Sequence, residues 1–344
     1  MRHRRLHILF LVAAIFSYMA AAYGATFSRL PADIGFPQTN ISGISQDKSG
    51  DIWITSKDCG VYRYDGYHIN RIDSELKASG LFIDSRGRIF VSSPTGTFLY
   101  DEDLGELSLF SKTGMRDAAE NADGDVYFIS SNSLLVLRCG CDSLEVESVI
   151  DGLRLRSVEC LGGKIYLGDA SGVLAAFDRA SRKVENVASF PGGIVQLFGH
   201  GDDSLWIAHP KNGVSCFSLK SGRVVRSLGK LDGLNSDNVQ SLCFENDTTL
   251  WIGSYEGINV LDLGNGSISS SRFQPFDSAS LSHDSVKTIF VDAQGGVWLG
   301  TYYGGVCYFH RSRNRFSTFR EGLGKQYLND GVVSCISEAP DSTL

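Results

Sequence analysis

Tyr302 and Tyr303 stand side by side ahead of two glycines, and they are the residues whose types and spacing offer the clearest chemistry in this chain. Two adjacent aromatics in an exposed turn are hard to explain by packing, while their rings suit the flat faces of a sugar or a peptide. Tyr255-Glu256, Lys57-Asp58, Asp169, His209 and Lys211 fall at the same place in a repeating pattern described below. Together they put aromatic platforms beside charged donors and acceptors, a combination that fixes and orients a polar ligand.

Catalytic or metal chemistry has less support. Asp47-Lys-Ser-Gly-Asp51 and Asn121-Ala-Asp-Gly-Asp125 faintly resemble calcium loops. A helix-flanked calcium loop needs about twelve residues ending in a bidentate Glu, which neither has. Ser45 to Trp53 is similar to the aspartate box of sialidase propellers, with one extra residue between Asp and Trp, and that box is itself a structural turn. A glycosidase would need two carboxyl groups flanking the scissile bond, and no such pair can be picked out. His68, His200, His209, His283 and His310 are scattered and read as surface or satisfied residues. Cys139-Gly-Cys141 is the one close cysteine pair, a spacing that gives poor disulfide geometry and has no His cluster beside it. The expectation is a protein without catalytic residues, metal or cofactor.

The chain begins with Arg2, Arg4 and Arg5, continues through an apolar run from Ile8 to Ala22 and reaches Ala22-Tyr23-Gly24. This is the pattern of a secretory signal, predicted to span residues 1–24 and to be cleaved, with an uncleaved membrane anchor as the alternative. Without it the chain carries 29 basic and 39 acidic residues, a net charge of −10. That sign repels nucleic acid and anionic membrane surfaces, so contact with a membrane is expected only through an uncleaved leader or a helix outside this chain. The location implied is the periplasm. All eight cysteines follow the leader, irregularly spaced, and most are expected to be small buried hydrophobes.

What positions the candidate residues is a repeat. Val286 leads through Asp292-Ala-Gln-Gly-Gly-Val-Trp298-Leu-Gly-Thr to Gly305-Val-Cys-Tyr308, and related text runs from Val239 through Trp251 and from Ile41 through Trp53. Weaker copies place Phe90, Tyr127, Tyr166 and Trp206 at the same point. The seven markers are 37 to 47 residues apart. Each copy reads as four short strands: one ending in an Asp-x-x-Gly turn, one holding the aromatic, a third often opened by Gly, and a fourth. This predicts an all-β fold, a seven-bladed β-propeller of four-stranded antiparallel blades over residues 25–319. One blade cannot cover both its apolar faces, so neighbours stack and the marker fills the gap.

Thr26-Phe-Ser-Arg-Leu30 has the register of a fourth strand and is predicted to complete the last blade, which displaces Arg315 to Phe319 or makes the two segments compete. Residues 320–344 read as the opening of an eighth repeat, cut off before its aromatic. The turns between second and third strands then open on one face around the channel, carrying the residues named at the outset.

The Val-x-x-Ile-x-x-Asp, Gly-x-x-Trp-Ile-Gly-Thr and Gly-Gly-Val/Leu-x-x-Tyr/Phe patterns, sharpest in copies 1, 6 and 7, closely resemble the repeat of the two-component regulator propeller family. The four middle copies depart from it by losing Gly-Thr and mostly losing Trp. The resemblance implies the N-terminal part of a longer sensor: a second propeller, an immunoglobulin-like domain, a membrane helix and a cytoplasmic histidine kinase, of the kind that responds to periplasmic glycan fragments in Bacteroidetes. The leading expectation is an extracytoplasmic sensory module that binds an oligosaccharide and signals through kinase domains absent from this chain. The alternatives are a stand-alone periplasmic scaffold for other proteins and, further off, a carbohydrate-active enzyme.

Overall fold

The computed structural model describes residues 26–30, 36 and 39–312. The predicted signal peptide, the Arg315 to Phe319 segment and the eighth repeat at 320–344 lie outside the described residues. Seven separate four-stranded antiparallel sheets follow one another along the chain, making the expected seven-bladed β-propeller. Blade 1 is typical: Ile41–Gln46 innermost, then Ile52–Ser56, Gly60–Tyr64 and Ile69–Asp73 outermost, paired in chain order.

All seven markers sit on the second strand of their blades and are buried. Each packs toward the next blade, so the core is seven clusters, one in each gap. Trp53 meets Ala78 and Val91 of blade 2, Trp206 meets Val239 and Leu242 of blade 6, and Trp298 meets Ile41 and Ile54 of blade 1, which closes the circle.

The last blade is finished from the other end of the chain. Ser28 and Arg29 pair antiparallel with Tyr308 and Cys307, in the fourth-strand place expected for this segment. Phe27 is buried against Phe309 and joins the cluster around Trp251.

The Asp-rich turns prove to be caps. Asp47 accepts the amides of Ser49 and Asp51 on one oxygen and the Trp53 indole on the other. Asn121 does the same for the amides of Asp123 and Asp125, whose carboxylates pair with Arg179. Among the described residues no group of three or more His, Cys, Asp or Glu could hold a metal, and no helix is long and apolar enough to cross a membrane. The expectation of mostly buried cysteines holds only in part: Cys216 and Cys307 are buried, whereas Cys139 and Cys141 are exposed in the turn after Ser133–Leu137.

Candidate ligand-binding face

The turns between second and third strands are shaped by local hydrogen bonding. In blade 7 the Thr301 hydroxyl donates to the Gly305 carbonyl and accepts the Gly304 amide, forcing a tight reversal with Gly305 at φ +69°. The Tyr302 amide donates to the Ser285 carbonyl at 2.9 Å, which anchors the turn to the loop entering the same blade. In blade 6 the Ser254 hydroxyl plays the part of Thr301, donating to Gly257 and accepting from Glu256. A side chain at Gly257 would place its Cβ 2.3 Å from the Ser271 carbonyl oxygen, so only glycine opens the third strand there.

These turns deliver one cluster that spans blades 6, 7 and 1. Tyr302 and Tyr303 meet edge to face with ring centres 4.3 Å apart, and Tyr303 stays 60% exposed. The His283 ring flanks Tyr303 at 6.0 Å. Lys287 lies between the blades: its ammonium is 4.8 Å from the Tyr255 ring centre and 5.3 Å from that of Tyr302. It also donates to the Tyr255 hydroxyl at 3.1 Å and to Gln240 Oε1 at 3.4 Å. The hydrogen bond and charge of Tyr302 push the Tyr303 phenol above its ordinary pKa, with a smaller push from Asp58 of blade 1. A platform of three phenols, two of which share one ammonium, can stack on an apolar sugar face while presenting hydroxyls and a cation at its edges.

The remaining candidates fare differently. Glu256 pairs with Lys230 and Arg272 at 3.2 and 3.3 Å, which holds its carboxyl below the usual range and ties it to the rim. Lys57 and Lys211 are exposed on their turns, Lys211 on blade 5 outside the cluster.

His209 and Asp169 are corrections to the reading of this ring as open loop tips, since each is only 1% exposed. His209 Nδ1 donates to the Gly193 carbonyl at 2.9 Å, leaving Nε2 to accept from the Ser215 hydroxyl at 3.1 Å. Burial lowers its pKa, in keeping with a neutral ring. Asp169 accepts the amides of Ser171, Gly172 and Val173 and is a turn cap.

Lys287 was missed by sequence reasoning because it belongs to an innermost strand, not a turn. The available signal was its place directly after Val286, the β-branched residue twelve positions before Trp298.

Three segments, residues 35–58, 233–256 and 280–303, match the family described as two component regulator propeller. They are the first halves of blades 1, 6 and 7, the copies sharpest in sequence. Among curated proteins, none matches the chain. Solved structures with similar folds include the extracellular domains assigned to the hybrid two component systems BT3049 and BT4673 of B. thetaiotaomicron, at 18% and 17% identity and TM-scores of 0.74 and 0.70. The matches cover 92% and 86% of this chain but 46% and 40% of those, so the chain spans less than half their length. A streptogramin B lyase is also similar in fold, at 13% identity, TM-score 0.66, with 83% of this chain and 98% of that one covered. The matched repeats are those of the two component regulator propeller family, and the fold that carries them is shared with these extracellular domains.

Proposed function

We propose that this chain is the extracytoplasmic ligand-sensing propeller of a two component regulator. It binds an oligosaccharide across the blade 6, 7 and 1 turns and signals through a second propeller and kinase domains outside this chain. The observation that carries the reading is the platform of Tyr255, Tyr302 and Tyr303 around Lys287. An exposed aromatic edge with a half-buried cation beside it has no structural task on a solvated rim. Export to the periplasm is supported by the leader-like N-terminus and by the extracellular origin of the similar domains. The acidic balance of the chain argues against nucleic acid as a partner.

The fold similarity to a lyase makes an enzyme the competing reading. Calorimetry with a panel of defined oligosaccharides, combined with product analysis of each mixture, separates the two. The expected result is binding without cleavage, weakened at least tenfold by Tyr303→Ala at unchanged melting temperature. Turnover of any panel member, or binding indifferent to Tyr303→Ala, would overturn the reading.

A further inference from the structure

The innermost strands carry a feature that the turns do not. Where blade 1 begins, Ile41 pairs with Ser56 and Gly43 with Thr55, so Ser42 is an extra residue bulged out of the ladder. The same bulge puts Arg156 between Leu155 and Ser157 in blade 4, Gln240 between Val239 and Ser241 in blade 6, and Lys287 between Val286 and Thr288 in blade 7. In blades 2, 3 and 5 the register assigns the place to Ser79, Arg116 and Val195, whose amides donate to Ser92, Ile129 and Ala208. These seven residues form one level of the propeller at the mouth of its channel. Bulges of this kind re-aim side chains where a strand meets a site.

That level holds three cations and no acid, in a chain that is acidic as a whole. Arg116 lines a channel cavity of about 250 Å³ together with Ser42, Ser79, Gln196 and Thr288. Arg116 and Arg156 are both exposed although they belong to the innermost layer, where the channel is the nearest solvent. Among the described residues neither guanidinium has a hydrogen bond or ion pair, whereas Arg63, Arg88, Arg138, Arg179, Arg272 and Arg311 are each paired with an acid. Asp117, the acid nearest below, is occupied by the Ser157 hydroxyl and the Val158 amide. Burial also raises its pKa and that of Glu159.

We infer that the channel mouth is an anion site, built from Arg116, Arg156 and Lys287, and that the oligosaccharide on the tyrosine platform carries a carboxylate or a sulfate. Lys287 joins the two regions, since it belongs to the basic level and lies under Tyr255 and Tyr302. The inference rests on the glycan reading for its ligand but not for its site. Guanidinium groups match the two-oxygen edge of either anion.

The test titrates the whole chain with trigalacturonate, its carboxyl-reduced counterpart, a sulfated galactan tetrasaccharide carrying no carboxylate, and inorganic sulfate. One of the acidic sugars should bind at least tenfold tighter than the reduced one, the preference should shrink with added salt, and Arg116→Gln with Arg156→Gln should erase it at unchanged melting temperature. Which acidic sugar wins distinguishes carboxylate from sulfate. Equal binding of acidic and neutral sugars would overturn the anion site while leaving the glycan reading intact. If no sugar binds, the glycan reading falls, and inorganic sulfate decides the site: binding lost in the double variant upholds it, and absence of binding overturns it.

Discussion

The indole nitrogen of Trp298 donates to Asp292 Oδ2 at 2.8 Å, across six residues and around the turn that joins the first two strands of blade 7. Trp53 makes the same bond to Asp47 at 2.7 Å, and Trp251 makes it to Glu245 at 2.9 Å. In blades 1 and 7 the acid that caps the turn therefore also satisfies the one polar atom of the residue that fills the gap between blades, whereas in blade 6 Asn246 caps the turn and Glu245 takes the indole. This explains why Trp, and not merely an aromatic, recurs where the repeat text is sharpest. Phe90 has no such donor, and in its blade Arg88 occupies Asp84 instead while lying 5.6 Å over the Phe90 ring.

Asp292→Ala removes the acceptor of the Trp298 indole and of the Gln294 and Gly296 amides at once. The loss of charge-assisted bonds at a buried site should cost about 3 kcal/mol in urea unfolding. Addition of calcium or of a chelator should leave the wild-type transition unchanged, because the carboxylate oxygens are already taken by N–H groups. A chelator-dependent shift would show that these turns bind metal after all.

Tyr127 gives the opposite sign at the same place in the repeat. Its ring is fully buried, but its hydroxyl is buried without a hydrogen-bond partner, and burial pushes the phenol up to about 12. Tyr127→Phe removes an unsatisfied polar atom and keeps the ring, so the variant should be more stable by about 1 kcal/mol. A destabilised variant would mean that the hydroxyl has a partner such as a buried water.

Closure of the ring rests on a few residues. Phe27 is 2% exposed, its ring centre 6.0 Å from that of Phe309, and its amide donates to the Ala279 carbonyl at 2.8 Å. Phe27→Ala should cost about 3–5 kcal/mol and should raise hydrogen exchange first in the Val306–Phe309 strand. Uniform loss of protection across all seven blades would show instead that the propeller unfolds only as a whole.

The repeat, the seven markers, the capping turns and the fourth strand supplied by Thr26 to Leu30 were legible in the sequence, because each follows from a local period or a local turn. The candidate face was legible only in part. His209 and Asp169 occupy the place of Ser254 and Thr301 in the repeat, one residue before Tyr255 and Tyr302, and the loop through Phe190 and Gly193 also folds over His209 and encloses it. Which residue of such a turn points inward is decided by the capping hydrogen bonds, made by Asp169, Ser254 and Thr301 at one place, and a two-residue period does not show them. Lys287 and Arg156 escaped for a related reason: a bulge shifts the inside-outside alternation by one, so a strict two-residue period misplaces their side chains.

Two buried groups set the pH dependence of stability in opposite directions. Glu159 accepts the Cys160 and Gly199 amides, and desolvation raises its pKa from 4.5 to about 7. The folded state then holds a proton that the unfolded state releases, so stability falls as pH rises from about 4.5 to about 7 and is level above that. The upper bound is about 3 kcal/mol, from the shift at 1.36 kcal/mol per unit. His209 is lowered by burial, so its contribution is present above about 6.5 and is lost as pH falls through its folded value. Glu159→Gln keeps an acceptor for Gly199 and cannot ionise. It should therefore raise the melting temperature at pH 8, leave it nearly unchanged at pH 4.5, and expose the remaining loss of stability on the acid side that His209 causes. A variant whose melting profile keeps the wild-type fall between pH 5 and 7 would show that Glu159 titrates as an ordinary carboxylate in a solvated channel.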